Sequence, residues 1–168
     1  MSVGLTQSVK VLEHEALAQS GALYRLAARL MGNSVDAEDV VQEAFVKAIT
    51  GLRRGAFAGE SSLTTWLYRV LTNVALDRLR QLKQQRVVDP EKTAKEQTSS
   101  SNPDAAVALR ELADAMKELP GDQRAALVLK EVQGLPTREV ALILERSEGA
   151  TEQLLVRARE TLRRRLES

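Results

Sequence analysis

Apolar residues recur at intervals of three and four along most of this chain, which is the spacing of one face of an α-helix. The pattern is clearest between Ser34 and Ile49. We predict an amphipathic helix there, with its apolar face against a core. That face consists of Ala37, Val40, Val41, Ala44, Phe45, Ala48 and Ile49.

The opposite face of this predicted helix carries Asp39, Gln42, Glu43 and Lys47. Its residue types leave three interpretations open. The face is simply solvated, or it docks against a basic partner helix. Alternatively, its carboxylates, together with that of Asp36, hold a hard cation or transfer protons.

Two further helices are predicted in the first half, at residues 9–31 and from about Thr65 to Gln85. The second follows a hydroxyl-rich segment and carries an aromatic, an amide and guanidinium groups away from its apolar face. This combination suits single-stranded DNA, because bases stack on aromatics and arginines hold phosphates. The alternative is that Trp66 belongs to the core and the arginines are solvated.

Helical periodicity is lost between residues 87 and 103, where proline, serine and charged residues predominate. We expect a flexible linker there. It divides the chain into domains at 9–86 and 104–168.

In the second domain, two helices joined by a short turn near Arg146 to Gly149 have the form of a helix-turn-helix, and the last helix is rich in arginine. A plain helical hairpin with a solvated basic end is the alternative.

Composition narrows the function classes. The 168 residues carry a formal net charge of only +1, so any DNA contact must come from local clusters. The chain has no cysteine and one histidine, which excludes thiolate metal sites and a cysteine nucleophile. The start lacks a secretory signal pattern, and no apolar run reaches the roughly 20 residues of a membrane span. We expect an all-α cytoplasmic protein without membrane insertion.

Several motifs, in order, resemble one known family, the bacterial extracytoplasmic-function (ECF, group IV) RNA polymerase sigma factors. The resemblance covers about residues 15 to 166. It implies a sigma region 2 helical bundle and a sigma region 4 helix-turn-helix joined by the linker. The motifs are Leu-Tyr-Arg-Leu-Ala (23–27), Asp-Ala-Glu-Asp-Val-Val-Gln-Glu-Ala-Phe (36–45), Thr-Trp-Leu-Tyr-Arg-Val (65–70), Glu-Leu-Pro-Gly-Asp-Gln-Arg (118–124), Gly-Leu-Pro-Thr-Arg-Glu-Val-Ala (134–141) and Arg-Ala-Arg-Glu-Thr-Leu-Arg (157–163).

The resemblance implies that the first domain binds core RNA polymerase and melts the promoter minus-ten element. The residues that would bind the polymerase clamp helices are Asp36, Asp39, Gln42, Glu43 and Lys47. Those that would read the minus-ten element are Ser61, Ser62, Leu63, Thr64, Thr65, Trp66, Arg69, Asn73 and Arg80. The segment Ser61 to Thr65 is expected to be a loop that captures a flipped-out base.

The second domain would read the minus-thirty-five element, and its apolar face around Leu127 to Leu129 would offer an edge to the polymerase flap. The chain departs from the commoner family pattern at Ala150 to Leu154, so the base preference is not carried over. By their hydrogen-bonding groups, Glu152 suits cytosine and Gln153 suits adenine. The implied readers are Arg138, Ser147, Thr151, Glu152, Gln153, Val156 and Arg157.

Our leading hypothesis is therefore a promoter-specificity subunit that is not an enzyme. It would have no catalytic residues, metal or cofactor, act as a monomer, and be controlled by an anti-sigma factor. A second hypothesis is a helix-turn-helix regulator that binds operators without polymerase, using residues 104–168, with the first domain for dimerisation. A third is a metal-dependent enzyme built on Asp36, Asp39 and Glu43.

Overall fold

The computed structural model describes residues 2–88 and 103–167, and within these ranges the chain is helical and contains no strand. The predicted all-α class is confirmed. The helices are α1 (Ser2–Ala18), α2 (Ser20–Met31), α3 (Ser34–Arg53), α4 (Leu63–Val88), α5 (Pro103–Glu118), α6 (Gly121–Leu127), α7 (Thr137–Leu144) and α8 (Glu148–Glu167).

The first half is built on α2, α3 and α4, which pack against one another. The single helix predicted over residues 9–31 is two helices in the structure. They are separated at Gln19, whose N–H donates to the carbonyl of Ala16, three residues earlier, at 3.1 Å. Leu17, an apolar residue near the end of α1, is 57 % exposed. α2 ends at Gly32, whose φ of 78° is the left-handed conformation that glycine adopts without strain.

The second half contains the predicted helix-turn-helix, formed by α7 and α8 with a turn of three residues between them. Helix α6 is α-helical only to Leu127, and the chain continues as a π-helical segment, Val128–Val132. Leu127, Val128 and Leu129 are buried, as the sequence predicts for core residues.

The predicted linker is only partly inside the described chain. α4 continues through Val88 and α5 begins at Pro103, so the helices extend slightly into the range 87–103. The rest of the predicted linker, residues 89–102, lies outside the described residues.

The two halves share one apolar core, in which α4 contacts α2 and α3 on one side and α6 and α7 on the other. Close approach of α6 depends on Gly121, because a Cβ there would lie 3.2 Å from Cδ2 of Leu76. A second contact joins Gly32 to Lys117, whose Cε would lie 3.0 Å from an added Cβ. The domains therefore pack directly against each other in this structure.

Candidate nucleic-acid and polymerase interface

The outer face of α3 presents four of the five predicted clamp-binding residues to solvent. Asp39, Gln42, Glu43 and Lys47 are all exposed. Glu43 and Lys47 form an i,i+4 ion pair with 3.4 Å between Oε1 and Nζ. With both side chains more than half exposed, this pair is weak and leaves the surface available to a partner.

Asp36 has a different environment from the other four. It closes the N-terminus of α3, accepting a 2.7 Å bond from Nδ2 of Asn33 and donating its backbone N–H to Oδ1 of that residue at 2.8 Å. Its carboxylate is one-fifth exposed and lies 3.7 Å from Nη2 of Arg78, which also lies 3.6 Å from Oδ2 of Asp39. Asp36 thus fixes the start of the helix, and Arg78 connects it to the exposed face.

The cation-site interpretation of α3 gains no geometric support. Among the residues that the structure describes, no three acidic or histidine side chains come close enough together to hold a metal ion. The carboxylates of Asp36 and Asp39 face a guanidinium instead.

The hydroxyl-rich segment before α4 forms the cap of that helix. Oγ of Ser62 accepts the backbone N–H of Thr65 at 3.1 Å and donates to the hydroxyl of Thr65 at 3.0 Å. Oγ of Ser61 donates to the carbonyl of Ser62 at 3.3 Å. The predicted loop from Ser61 to Thr65 is therefore shorter than expected, since α4 already begins at Leu63.

Two of the predicted minus-ten residues contribute to packing. Leu63 is buried, and Trp66 is half-buried with its ring centroid 5.7 Å from that of Phe57 in an edge-to-face arrangement. The Trp66 ring also fits over Gly51, where a Cβ would lie 3.2 Å from two ring carbons. Trp66 thus anchors the connector between α3 and α4, while Thr64 remains exposed.

The polar residues farther along α4 are exposed but differ in their partners. Asn73 is exposed, and Nη1 of Arg80 donates to Oδ1 of Asp77 on the preceding turn at 2.7 Å. Arg69 forms a contact across the two halves, because its Nε donates to Oε1 of Glu145 at 2.7 Å and its Nη2 reaches the same oxygen.

In the helix-turn-helix, Ser147 and Thr151 are used by the fold itself. Oγ of Ser147 accepts the backbone N–H of Ala150 at 3.1 Å and so caps α8. Thr151 is fully buried, and its hydroxyl donates to the carbonyl of Ser147 at 2.9 Å. Thr151 is a correction to the predicted reader set, since its side chain faces the core together with Leu154, Leu155 and Ala158.

The remaining minus-thirty-five residues lie on the solvent side. Glu152, Gln153, Val156 and Arg157 are exposed on α8, where Glu152 and Val156, and likewise Gln153 and Arg157, are four positions apart and so are neighbours on the helix surface. Arg138 is exposed on α7. This surface combines a carboxylate, an amide, a methyl-bearing side chain and a guanidinium, which are the groups that contact base edges in a major groove.

Arg124 is a structural residue to which the sequence analysis gave no role. It is 5 % exposed, its Nε donates to the carbonyl of Met116 and its Nη1 to that of Leu30, both at 2.9 Å. Burial, with a smaller contribution from the charge of Arg86, lowers the pKa of Arg124 to about 10. It therefore stays protonated at neutral pH and joins the two halves. In the sequence, the only indication of a role for Arg124 is its position in the motif at residues 118–124.

Comparison with known families places this geometry in context. The family Sigma-70 region 2 matches residues 18–85, and the family Sigma-70, region 4 matches residues 109–162. The sequence is 32 % identical over 156 residues to the ECF RNA polymerase sigma factor SigW of Bacillus subtilis, covering 86 % of this chain and 82 % of that protein. The chain belongs to the ECF RNA polymerase sigma factor family.

Two further comparisons agree with this assignment of the ECF sigma factor. It is 33 % identical over 144 residues to the ECF sigma factor SigM of Mycobacterium tuberculosis, covering 86 % of this chain and 71 % of that protein. Its fold matches the sigma factor RpoE in complex with the anti-sigma factor NepR from Bartonella quintana, with a TM-score of 0.72 and 25 % identity over 94 % of this chain and 98 % of that one.

No helix of the ECF sigma factor in the described ranges has both the length and the apolar character needed to cross a bilayer.

Proposed function

We propose that this ECF sigma factor binds core RNA polymerase through α3 and directs initiation by reading the minus-ten element with α4 and the minus-thirty-five element with α8. The observation that carries the proposal is the order of the two matched regions, each with an exposed polar face on the expected helix. Family membership supports the activity, and the side chains on each face supply its chemistry.

The clamp surface, defined as Asp39, Gln42, Glu43 and Lys47, supplies carboxylates and an amide for a basic coiled coil. The polymerase clamp helices are the expected partner. Asp36 contributes indirectly, because its cap and its contact with Arg78 fix the helix end from which these side chains project. An edge of the apolar face around Leu127 to Leu129 would contact the polymerase flap.

The minus-ten surface consists of the exposed members of the predicted set, with Ser62, Thr64, Arg69 and Asn73 at its centre. Hydroxyl and amide groups there would bond to bases, and Arg69 would hold the backbone. Ser61, Leu63, Thr65 and Trp66 shape this surface through the cap and through packing. The minus-thirty-five surface, defined as Arg138, Glu152, Gln153, Val156 and Arg157, would enter a major groove.

Control by an anti-sigma factor is supported by the match to RpoE, a sigma factor whose structure was solved with the anti-sigma factor NepR. An anti-sigma factor would cover the clamp and minus-ten surfaces. The protein itself would have no catalytic activity and need no cofactor. It would work as a monomer in the cytoplasm, where the polymerase and the chromosome are.

The clamp surface is tested by run-off transcription with purified bacterial core polymerase, on a promoter found by mapping transcript starts after overexpression. Asp39→Ala and Gln42→Ala should each reduce initiation at least about tenfold, because truncating a group in a desolvated polar contact commonly costs more than about 1.4 kcal/mol. Circular dichroism should show the helical fold unchanged.

Glu15→Ala is the matched control, since it removes one exposed carboxylate from α1, outside the clamp surface. It should initiate like the unmodified protein. If Asp39→Ala and Gln42→Ala initiate as well as this control, the assignment of α3 to the clamp is wrong.

A further inference from the structure

The turn between α7 and α8 contains an unusual backbone position. Glu145 has a φ of 56°, and it is the only residue other than glycine with a positive φ in the described parts of the chain. Glycine is the residue that most readily ends a helix in this conformation. The backbone conformation therefore does not favour glutamate at this position, and the role of Glu145 lies in its side chain.

That side chain contacts the minus-ten surface. The Glu145 carboxylate accepts from both Nε and Nη2 of Arg69, at 2.7 Å for Nε, although the two residues are 76 positions apart. About half of each side chain is exposed, so the pair lies at the rim of the junction between the halves. The buried contacts of Arg124 and Gly121 lie elsewhere along the same junction.

A guanidinium recognises carboxylate and phosphate oxygens with the same donor groups, so one excludes the other at a given edge. We propose that Glu145 is an internal competitor of DNA for Arg69, and that the carboxylate masks part of the minus-ten surface while the protein is off its promoter. This inference rests on the proposed function only in assigning Arg69 to DNA.

The position of Glu145 gives the contact a second consequence. It lies in the turn that precedes α8. The ion pair therefore links Arg69 of the minus-ten surface to the helix-turn-helix that carries the minus-thirty-five surface. If the two halves separate when both promoter elements are bound, this pair must break. An exposed ion pair shifts an equilibrium only about two- to fivefold, which makes it readily displaced by a polyanion.

The test measures binding of a fluorescein-labelled single-stranded DNA oligonucleotide of randomised sequence to the full chain at low salt, by fluorescence anisotropy. Glu145→Gln and Glu145→Gly both remove the carboxylate, and each should strengthen binding about two- to fivefold. Glu148→Gln is the matched control, because it removes the same charge from an exposed position three residues away. It corrects for the general change in net charge.

The decisive comparison is a double-mutant cycle with Arg69→Ala, which isolates the pairwise effect. The proposal expects the gain from Glu145→Gln to disappear when Arg69 is absent. It is overturned if Glu145→Gln binds no better than Glu148→Gln, if its gain survives in the Arg69→Ala background, or if none of the variants binds this probe.

Run-off transcription by the unmodified chain with core polymerase separates this inference from the proposed function. Initiation by that chain, together with equal DNA binding by Glu145→Gln and Glu148→Gln, would reject the masking contact and leave the sigma-factor assignment intact. Failure of the unmodified chain to initiate would reject the proposed function, whatever the binding data show.

Discussion

The two halves of the molecule differ in how many of their predicted DNA readers are engaged within the protein. On α4, the residues of the minus-ten set are largely engaged within the protein: Ser62 caps the helix, Trp66 packs on Phe57, and Arg69 holds Glu145. In the helix-turn-helix, Ser147 and Thr151 are engaged as well, but Glu152, Gln153 and Arg157 are exposed on α8. The proposed single-strand reader is thus more occupied than the proposed duplex reader.

This difference matches the order in which duplex DNA and unpaired bases become available during initiation. A duplex element exists before melting, so its reader can be presented at all times. Unpaired bases exist only after the polymerase has opened the promoter, and an open surface for them would bind nucleic acid non-specifically. Among the contacts described above between the halves, the pair of Arg69 and Glu145 is the one that involves a predicted reader.

The largest effect is expected at Arg124, the buried residue that joins the halves. Arg124→Met would remove the guanidinium donor from the carbonyls of Leu30 and Met116, the second of which keeps the N–H of Leu119, and we expect the free energy of unfolding to fall by about 2–4 kcal/mol. Urea unfolding followed by circular dichroism measures this loss.

A second measurement reports the separation of the halves. Because the chain has no cysteine, fluorescent dyes can be attached to a chain that carries both Glu15→Cys and Glu160→Cys, and energy transfer between them depends on the distance between the halves.

Arg163→Met is the control for this experiment, because it removes an exposed arginine from α8. It should change the free energy of unfolding by less than about 0.5 kcal/mol. Arg124→Met and Arg163→Met giving the same stability and the same energy transfer would mean that Arg124 does not hold the halves together.

A smaller effect is expected on the open side of the comparison. Arg157→Ala should weaken binding to duplex promoter DNA by about 1–3 kcal/mol, and the loss should vary with sequence if the guanidinium reads a base edge. A loss that is uniform across sequences would indicate a phosphate contact. Titration of labelled duplexes measures both, and Lys10→Ala, which removes one exposed cation from α1, is the control. Unchanged binding would remove Arg157 from the interface.

Local periodicity was enough to predict most helices and the helix-turn-helix. The same periodicity places Thr151 on the buried face, because it is three, four and seven positions from the buried Leu154, Leu155 and Ala158. The break at Gln19 also has a local signal, because Ser20-Gly21, a dipeptide typical of turns, follows it directly.

The junction between the halves was not predictable from local patterns. Arg124 bonds to a carbonyl 94 positions away, and Arg69 pairs with a residue 76 positions away. Pairing over such separations depends on how complete domains pack, and a charged residue with a distant partner has the same local sequence pattern as a solvated one. The roles of Glu145 and Arg124 therefore emerged only from the folded chain.

The most direct test of the account is association with the enzyme itself. The unmodified chain, labelled with a fluorophore, is mixed with purified bacterial core RNA polymerase and separated by size-exclusion chromatography. The account predicts that the label elutes with the polymerase at one chain per enzyme and is displaced by excess unlabelled chain. Elution of the label only at the position of the free chain would contradict it.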